Sequence, residues 1–327
     1  MTFPVRRPRR LRTNKILRSM VQEFSIRSHD LIYPVFIVEG LIKPAEIKAM
    51  PGQMQWSLDT IADFVSKMME KGVKAFILFG VPAQKTSDGG EAIKNDSVIC
   101  EAIKRIRQKN PEAYLITDVC LCAYTDHGHC GLLNNKGEVE NDVSLKQLAA
   151  MALAHAKAGA DMVAPSDMMD GRVKEIRKTL DENGFSDIPI MSYSAKYASA
   201  FYGPFREAAN SAPGKGDRKG YQMDPAVRRD SLIELAADYS EGADILMVKP
   251  GLPYLDIVKI AKENFNCPIA VYQVSGEYSM IKAAAEKGWI DERSIVLESL
   301  ISMKRAGADL ILTYFAPEVI TWLKGEN

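Results

Sequence analysis

The strongest constraint on this chain is a rhythm. Eight short runs of apolar and β-branched residues occupy 31–38, 75–80, 114–121, 161–165, 188–194, 245–250, 269–275 and 310–315. Between them lie amphipathic stretches of helical length, including 57–71, 97–108, 144–157, 172–183 and 225–241. Period-3.6 patterning after each apolar run predicts a helix after each strand. The runs are nearly continuous rather than alternating, which predicts strands covered on both faces, as in a parallel sheet.

Three junctions nearly repeat one another: Ala158-Gly159-Ala160-Asp161, Glu241-Gly242-Ala243-Asp244 and Ala306-Gly307-Ala308-Asp309, with Lys71-Gly72-Val73-Lys74 a looser copy. Each supplies a glycine to end one helix just before the next strand. Eight such β/α units predict a closed (β/α)8 TIM barrel in one domain, residues 31–327, preceded by an extended N-terminal arm, residues 1–30, that makes subunit contacts. The glycine-rich fingerprint of a dinucleotide fold is missing after the first strand.

In a barrel of this kind the chemistry belongs at the carboxyl ends of the strands. Those ends carry Asp118 to Cys122, Ser166 and Asp167, Tyr193 to Lys196, Lys249, Tyr272 to Ser275, and Tyr314. The strand beginnings carry nothing comparable. Forty-two basic against 42 acidic residues give a formal charge of zero, so no whole-molecule field gathers nucleic acid or an anionic membrane. No apolar run approaches the roughly 18 residues a membrane span needs, and the basic N-terminus lacks the apolar segment of a secretion signal. These features predict a cytoplasmic protein.

Five cysteines are an odd number in a chain too long to need disulfides, and Cys120, Cys122 and Cys130 crowd together. Alternate strand residues point the same way, so Cys120 and Cys122 share one side, and a glycine-containing loop returns Cys130. Three thiolates suit zinc and leave a coordination position for water or substrate, unless His127 or His129 fills it. Lys249 ends one apolar run and Lys196 follows another. Burial and a second ammonium both disfavour protonation, which predicts an amine free to attack a carbonyl. Between them, Phe201-Tyr202-Gly203-Pro204-Phe205-Arg206 and the glycine- and charge-rich stretch to Gly220 read as an active-site lid, with Arg206 shaped for a substrate carboxylate.

Several motifs together carry a resemblance. They are Arg-Pro-Arg-Arg-Leu-Arg at 7–12, the cysteine loop at 118–131, Met-Ser-Tyr-Ser-Ala-Lys-Tyr-Ala-Ser-Ala-Phe-Tyr-Gly-Pro-Phe-Arg at 191–206, Gly-Asp-Arg-Lys at 216–219, Met-Val-Lys-Pro-Gly-Leu-Pro-Tyr-Leu-Asp at 247–256 and Tyr-Gln-Val-Ser-Gly-Glu-Tyr at 272–278. Over essentially its whole length the chain resembles the porphobilinogen synthase (5-aminolevulinate dehydratase) family. The resemblance implies condensation of two 5-aminolevulinate molecules to porphobilinogen, with loss of two waters, in tetrapyrrole (heme) synthesis.

By the same resemblance, Lys249 forms a Schiff base with the substrate that supplies the propionate side and Lys196 with the one that supplies the acetate side. Arg206, Arg218 and Lys219 hold the acetate-side carboxylate, and Ser275 and Tyr314 the other. Cys120, Cys122 and Cys130 match the zinc-dependent branch, where another branch carries aspartates, and Asp118 stands close enough to tune the site. Glu234 matches the position of an allosteric magnesium, and the arm matches one that wraps a neighbour in a homo-octamer.

Two other readings use the same residues. A Schiff-base aldolase on a TIM barrel needs one reactive lysine and no thiolates. A zinc-organised binding module would use the basic arm on nucleic acid, against the neutral charge of the whole.

Overall fold

The computed structural model describes residues 5–325. Eight parallel strands form the barrel: β1 (Leu31–Val38), β2 (Ala75–Val81), β3 (Tyr114–Val119), β4 (Met162–Pro165), β5 (Met191–Lys196), β6 (Ile245–Lys249), β7 (Ile269–Tyr272) and β8 (Leu310–Leu312). Their hydrogen-bonded order is β4-β3-β2-β1-β8-β7-β6-β5. A parallel bridge between Val163 and Ile190, with the Val163 N–H donating to the Pro189 carbonyl at 3.1 Å, joins β4 to β5 and closes the ring. A small antiparallel pair, Ala45–Glu46 with Met54–Trp56, rides on the end of β1.

The outer layer comprises α1 (Ile61–Lys71), α2 (Val98–Lys109), α3 (Asn141–Ala158), α4 (Arg172–Glu182), α5 (Arg229–Ser240), α6 (Leu255–Asn264), α7 (Ser275–Glu286), α8 (Glu292–Ala306) and α9 (Ala316–Leu323). Their limits follow local chemistry. The Ser97 hydroxyl caps α2, and the Asp291 carboxylate caps α8 by accepting the Ser294 N–H at 2.8 Å. Gly159, in the repeated junction, takes φ +104°, so the helix ends where only glycine is unstrained and the chain turns into β4.

The expected strands sit where the apolar runs place them, with shifted ends. The fifth begins later than 188 and extends through Lys196, and the seventh stops at Tyr272 because Ser275 already opens α7. Strand burial is nearly complete, with Phe36, Ile37, Phe76, Ile77, Leu78 and Val271 all at most 1% exposed. Burying each such side chain contributes about 1.5–3 kcal/mol against the entropy of ordering the chain. Ahead of the barrel, residues 5–25 are exposed except for the half-buried Leu17 and carry a 3-10 turn, Pro8–Arg12, and a short helix, Lys15–Met20. Among the described residues, no helix is long and apolar enough to cross a membrane.

Candidate active site

The mouth of the barrel is built from aromatic rings around one amine. Lys249, the last residue of β6, is 5% exposed. Its Nζ lies 4.4 Å from the ring centre of Tyr272, 5.0 Å from those of Tyr193 and Phe205, and 5.2 Å from that of Tyr202. These ring faces attract a cation weakly and exclude water strongly. Burial first, and then the neighbouring Lys196 ammonium, lower the Lys249 pKa to about 7, while Asp118 and the nearby cysteines oppose the shift. The amine is therefore neutral in a substantial fraction of molecules near neutral pH.

Lys196 ends β5 directly opposite Lys249 in the register, is 4% exposed, and donates from Nζ to the Ser166 carbonyl beyond β4. Asp118, near the end of β3, faces both amines. Burial raises its pKa to about 6, partly offset by Lys196, by a hydrogen bond from Ser166 and by Lys249, and its Oδ1 has no hydrogen-bond partner. A carboxyl poised at this value can hold a proton or release one during turnover.

The three cysteines converge, though not by strand alternation: β3 stops at Val119, short of the expected 121, so Cys120 lies just beyond it and Cys122 in the 3-10 turn Leu121–Ala123. Cys120, Cys122 and Cys130 are all buried, with their Sγ atoms within 4.8 Å of one another. A tetrahedral ion with bonds of about 2.3 Å to sulfur needs sulfur atoms about 3.8 Å apart, so the cluster fits a thiophilic divalent ion with small adjustment. Hydrogen bonds from Cys120 and Cys122 pull the Cys130 thiol well down, with Arg218 and Lys196 adding to the effect, while bonds to Cys122 and Cys130 push the Cys120 thiol up. His129 turns away from the cluster: its ring meets the Tyr221 hydroxyl at 3.2 Å and the Lys215 carbonyl at 3.0 Å. His127 meets the Ser87 carbonyl at 3.2 Å, so both histidines tie loops together in this state.

The segment expected to be a lid lies closed. Its short helix, Gly203–Ala208, inserts Phe205 between Phe36 and Phe79, with ring centres 5.5 and 5.1 Å away. The Ser275 hydroxyl accepts the Phe205 N–H at 3.0 Å, and the missing Cβ of Gly276 lets the Phe201 backbone come close. Farther along, the Gly214 N–H donates to the His127 carbonyl at 3.0 Å and Arg218 Nη2 to the Gly128 carbonyl at 2.9 Å, so the lid rests on the cysteine loop. Lys85 adds a bond from the far side, to the Asn210 carbonyl.

Arg206, Arg218 and Lys219 line one cleft of about 680 Å³ beside the lid. Arg206 is half-buried with an unpartnered Nε, Arg218 is 6% exposed, and Lys219 is exposed near Asp217. Tyr314 faces the lumen and shares a 2.9 Å hydrogen bond with Tyr272. Glu234 lies elsewhere, on α5, in a second cleft of about 640 Å³ with Asp170 and Asp230. Burial raises its pKa to about 7, with Asp238, Asp170 and Asp230 adding to the shift and Arg172 opposing it.

Sequence reasoning placed Tyr193 and Tyr272 at the strand ends and Tyr202 and Phe205 in the lid, but did not foresee that these four rings close into a cage around Lys249. It also missed Glu277, whose carboxylate caps α7 and holds the turn after Lys249. The capping position three residues into a helix was its only signal.

A family model described as "Delta-aminolevulinic acid dehydratase" matches residues 5–322. The chain is 53% identical to a delta-aminolevulinic acid dehydratase of Halalkalibacterium halodurans over 100% of this chain and 99% of that one. It is 52% identical to one from Methanothermus sociabilis over 98% and 99% of the two chains. A crystal structure of the Toxoplasma gondii ME49 enzyme in complex with its reaction product porphobilinogen superposes with a TM-score of 0.95, at 46% identity, covering 97% of this chain and 91% of that one.

Proposed function

The chain belongs to the delta-aminolevulinic acid dehydratase family, and from that premise we propose that Lys249 and Lys196 carry its condensation chemistry as Schiff-base lysines. The reaction joins two 5-aminolevulinate molecules into porphobilinogen with loss of two waters, a step of tetrapyrrole synthesis. The observation that carries the residue assignment is the facing pair of buried lysines, one of them with a pKa of about 7.

The neutral Lys249 amine attacks the ketone of the propionate-side substrate, and the resulting carbinolamine loses water to give an imine. Lys196, after its ammonium yields a proton to Asp118, reacts in the same way with the acetate-side substrate. Asp118, whose charge acts on both amines, holds or accepts a proton at its unpartnered oxygen. Arg206, Arg218 and Lys219 grip the acetate-side carboxylate, while Ser275 and Tyr314 hydrogen-bond the other, so that both ketones meet the amines. The closed lid keeps water from the aromatic cage.

Cys120, Cys122 and Cys130 would hold zinc, which as a Lewis acid polarises a substrate oxygen or lowers the pKa of bound water. Glu234 would hold an allosteric magnesium, mostly through waters, in its own acidic cleft. The arm would wrap a neighbouring subunit in a homo-octamer, covering Ile16 and Met20, which are 71% and 75% exposed. A reducing, cytoplasmic setting suits the five free cysteines.

The test is colorimetric detection of porphobilinogen made from 5-aminolevulinate by purified protein, before and after chelation and again with zinc restored. Product that disappears and returns supports the reading. Activity untouched by a chelator that strips all metal would contradict the zinc assignment.

A further inference from the structure

The strand that delivers Lys196 carries one residue more than its neighbour. β5 pairs with β6 at Met191↔Ile245 and Ser192↔Leu246, and pairing resumes at Ala195↔Val248 and Lys196↔Lys249. Three steps on one strand match two on the other, which is a β-bulge. Without it, the register would set Ala195 against Lys249 and Lys196 against Pro250. Successive side chains of a strand face opposite ways, so a one-residue slip would turn Lys196 out of the lumen that Lys249 faces. With the bulge, Tyr193 and Lys196 both face inward, and the two lysine Nζ atoms lie 5.6 and 5.0 Å from the centre of the Tyr193 ring.

A set of buried polar groups grips this bulge from behind. Arg172 Nη2 donates to the Ser192 hydroxyl at 3.1 Å and to the Tyr193 carbonyl at 3.3 Å. The Ser192 hydroxyl donates to Asp238 Oδ2 at 2.7 Å, and Asp238 accepts both ends of the Arg172 guanidinium at 3.0 and 2.9 Å. Arg172 and Asp238 are each 1% exposed and Ser192 is fully buried. The same guanidinium donates to the Met169 carbonyl at 3.2 Å, in the loop whose Ser166 carbonyl accepts from Lys196. A buried ion pair is seldom more stabilising than apolar packing of the same volume, so stability alone does not account for it. Its contacts fall on the one irregular segment of the strand and on the loop that holds the Lys196 amine.

We propose that Arg172, Ser192 and Asp238 are positioning residues: they fix the β5 bulge and so place Lys196 in the lumen opposite Lys249. This rests on the reading that both lysines form Schiff bases. The test is borohydride trapping with 5-aminolevulinate, followed by peptide mass mapping of the full-length protein, comparing wild type with the double variant R172M/D238L, which removes both members of this pair together and leaves the buried Asp167, 3.8 Å from the Arg172 guanidinium, to take up a proton. Wild type should add substrate at both lysines. In the folded double variant the ratio of Lys196 to Lys249 adduct should fall at least tenfold, with the Lys249 adduct retained. If the double variant fails to fold, Ser192→Ala removes only the hydroxyl link and should lower the same ratio severalfold. An unchanged ratio in either folded variant overturns the proposal. Wild-type protein that traps substrate on neither lysine overturns the Schiff-base reading, and the proposal with it.

Discussion

The carboxylate of Glu277 accepts the Leu252 backbone N–H at 2.7 Å, pinning the turn that follows Lys249 to the start of the helix that Ser275 opens. It also accepts the N–H groups of Gly251 at 3.3 Å and Val274 at 2.7 Å. One buried side chain thus ties the end of β6 to the beginning of α7. Glu277→Ala leaves three inward backbone donors without that acceptor. It should destabilise the fold by about 2–4 kcal/mol, at about 1–3 kcal/mol for each buried group left unsatisfied, reduced by local relaxation. Thermal unfolding measures this, and an unchanged midpoint would show that the clamp holds nothing.

The pH dependence follows from the Lys249 pKa of about 7. Below that value the amine is protonated and cannot attack, so the rate of adduct formation at Lys249 should fall about tenfold per pH unit on the acid side. Burial lowers the value most; of the neighbouring groups, the Lys196 ammonium lowers it further, and Asp118, Cys122 and Cys120 raise it. Lys196→Met removes the like charge, so the acid limb of Lys249 adduct formation should move to higher pH. Stopped-time trapping across pH 5–9 reads both limbs, and a limb unmoved in the variant contradicts the coupling.

Cys122→Ala breaks the sulfur cluster while leaving a small apolar residue in a buried place. Zinc content, measured by plasma mass spectrometry after gel filtration, should drop from about one ion per chain to less than about a tenth of that. Porphobilinogen formation should fall by about a hundredfold or more, as loss of a metal ligand implies.

Gly128 has φ +72°, and a Cβ there would collide with the Ala212 carbonyl of the lid. Gly128→Ala should push the lid off the cysteine loop, raise KM for 5-aminolevulinate about tenfold and speed tryptic cleavage at Lys215, Arg218 or Lys219. The thermal midpoint of the barrel should change little. Equal protease sensitivity in the variant and wild type would contradict the docking of lid on loop.

The barrel was legible in the sequence because eight apolar runs alternate with helical stripes, and four of the helices end on a glycine, Gly72, Gly159, Gly242 or Gly307, just before the next strand. The clustering of Cys120, Cys122 and Cys130 was legible from their spacing, but not its means: the strand stops at Val119, and the 3-10 turn Leu121–Ala123, not strand alternation, presents Cys122 beside Cys120. The convergence of Lys196 and Lys249 was expected, but the means was not. Simple alternation cannot foresee a bulge, and the residues that brace it, Arg172 and Asp238, sit on helices where charged residues ordinarily face solvent. Glu277 was hidden for a related reason: apart from the local cap on Val274, its partners are the backbone amides of Gly251 and Leu252, 26 and 25 residues back along the chain, which no side-chain pattern records. The lid's closure onto Ser275 depends on contacts between segments about 70 residues apart, beyond the reach of periodicity.

The central claim is that two facing lysines do the carbonyl chemistry, and site-resolved trapping tests it most directly. Wild-type protein incubated with 5-aminolevulinate and borohydride should yield substrate adducts in the peptides that contain Lys249 and Lys196. The Lys249 adduct should be absent from the Lys249→Ala variant, which should also form no porphobilinogen. Adducts confined to other lysines, or product formed at the wild-type rate by Lys249→Ala, would contradict the account.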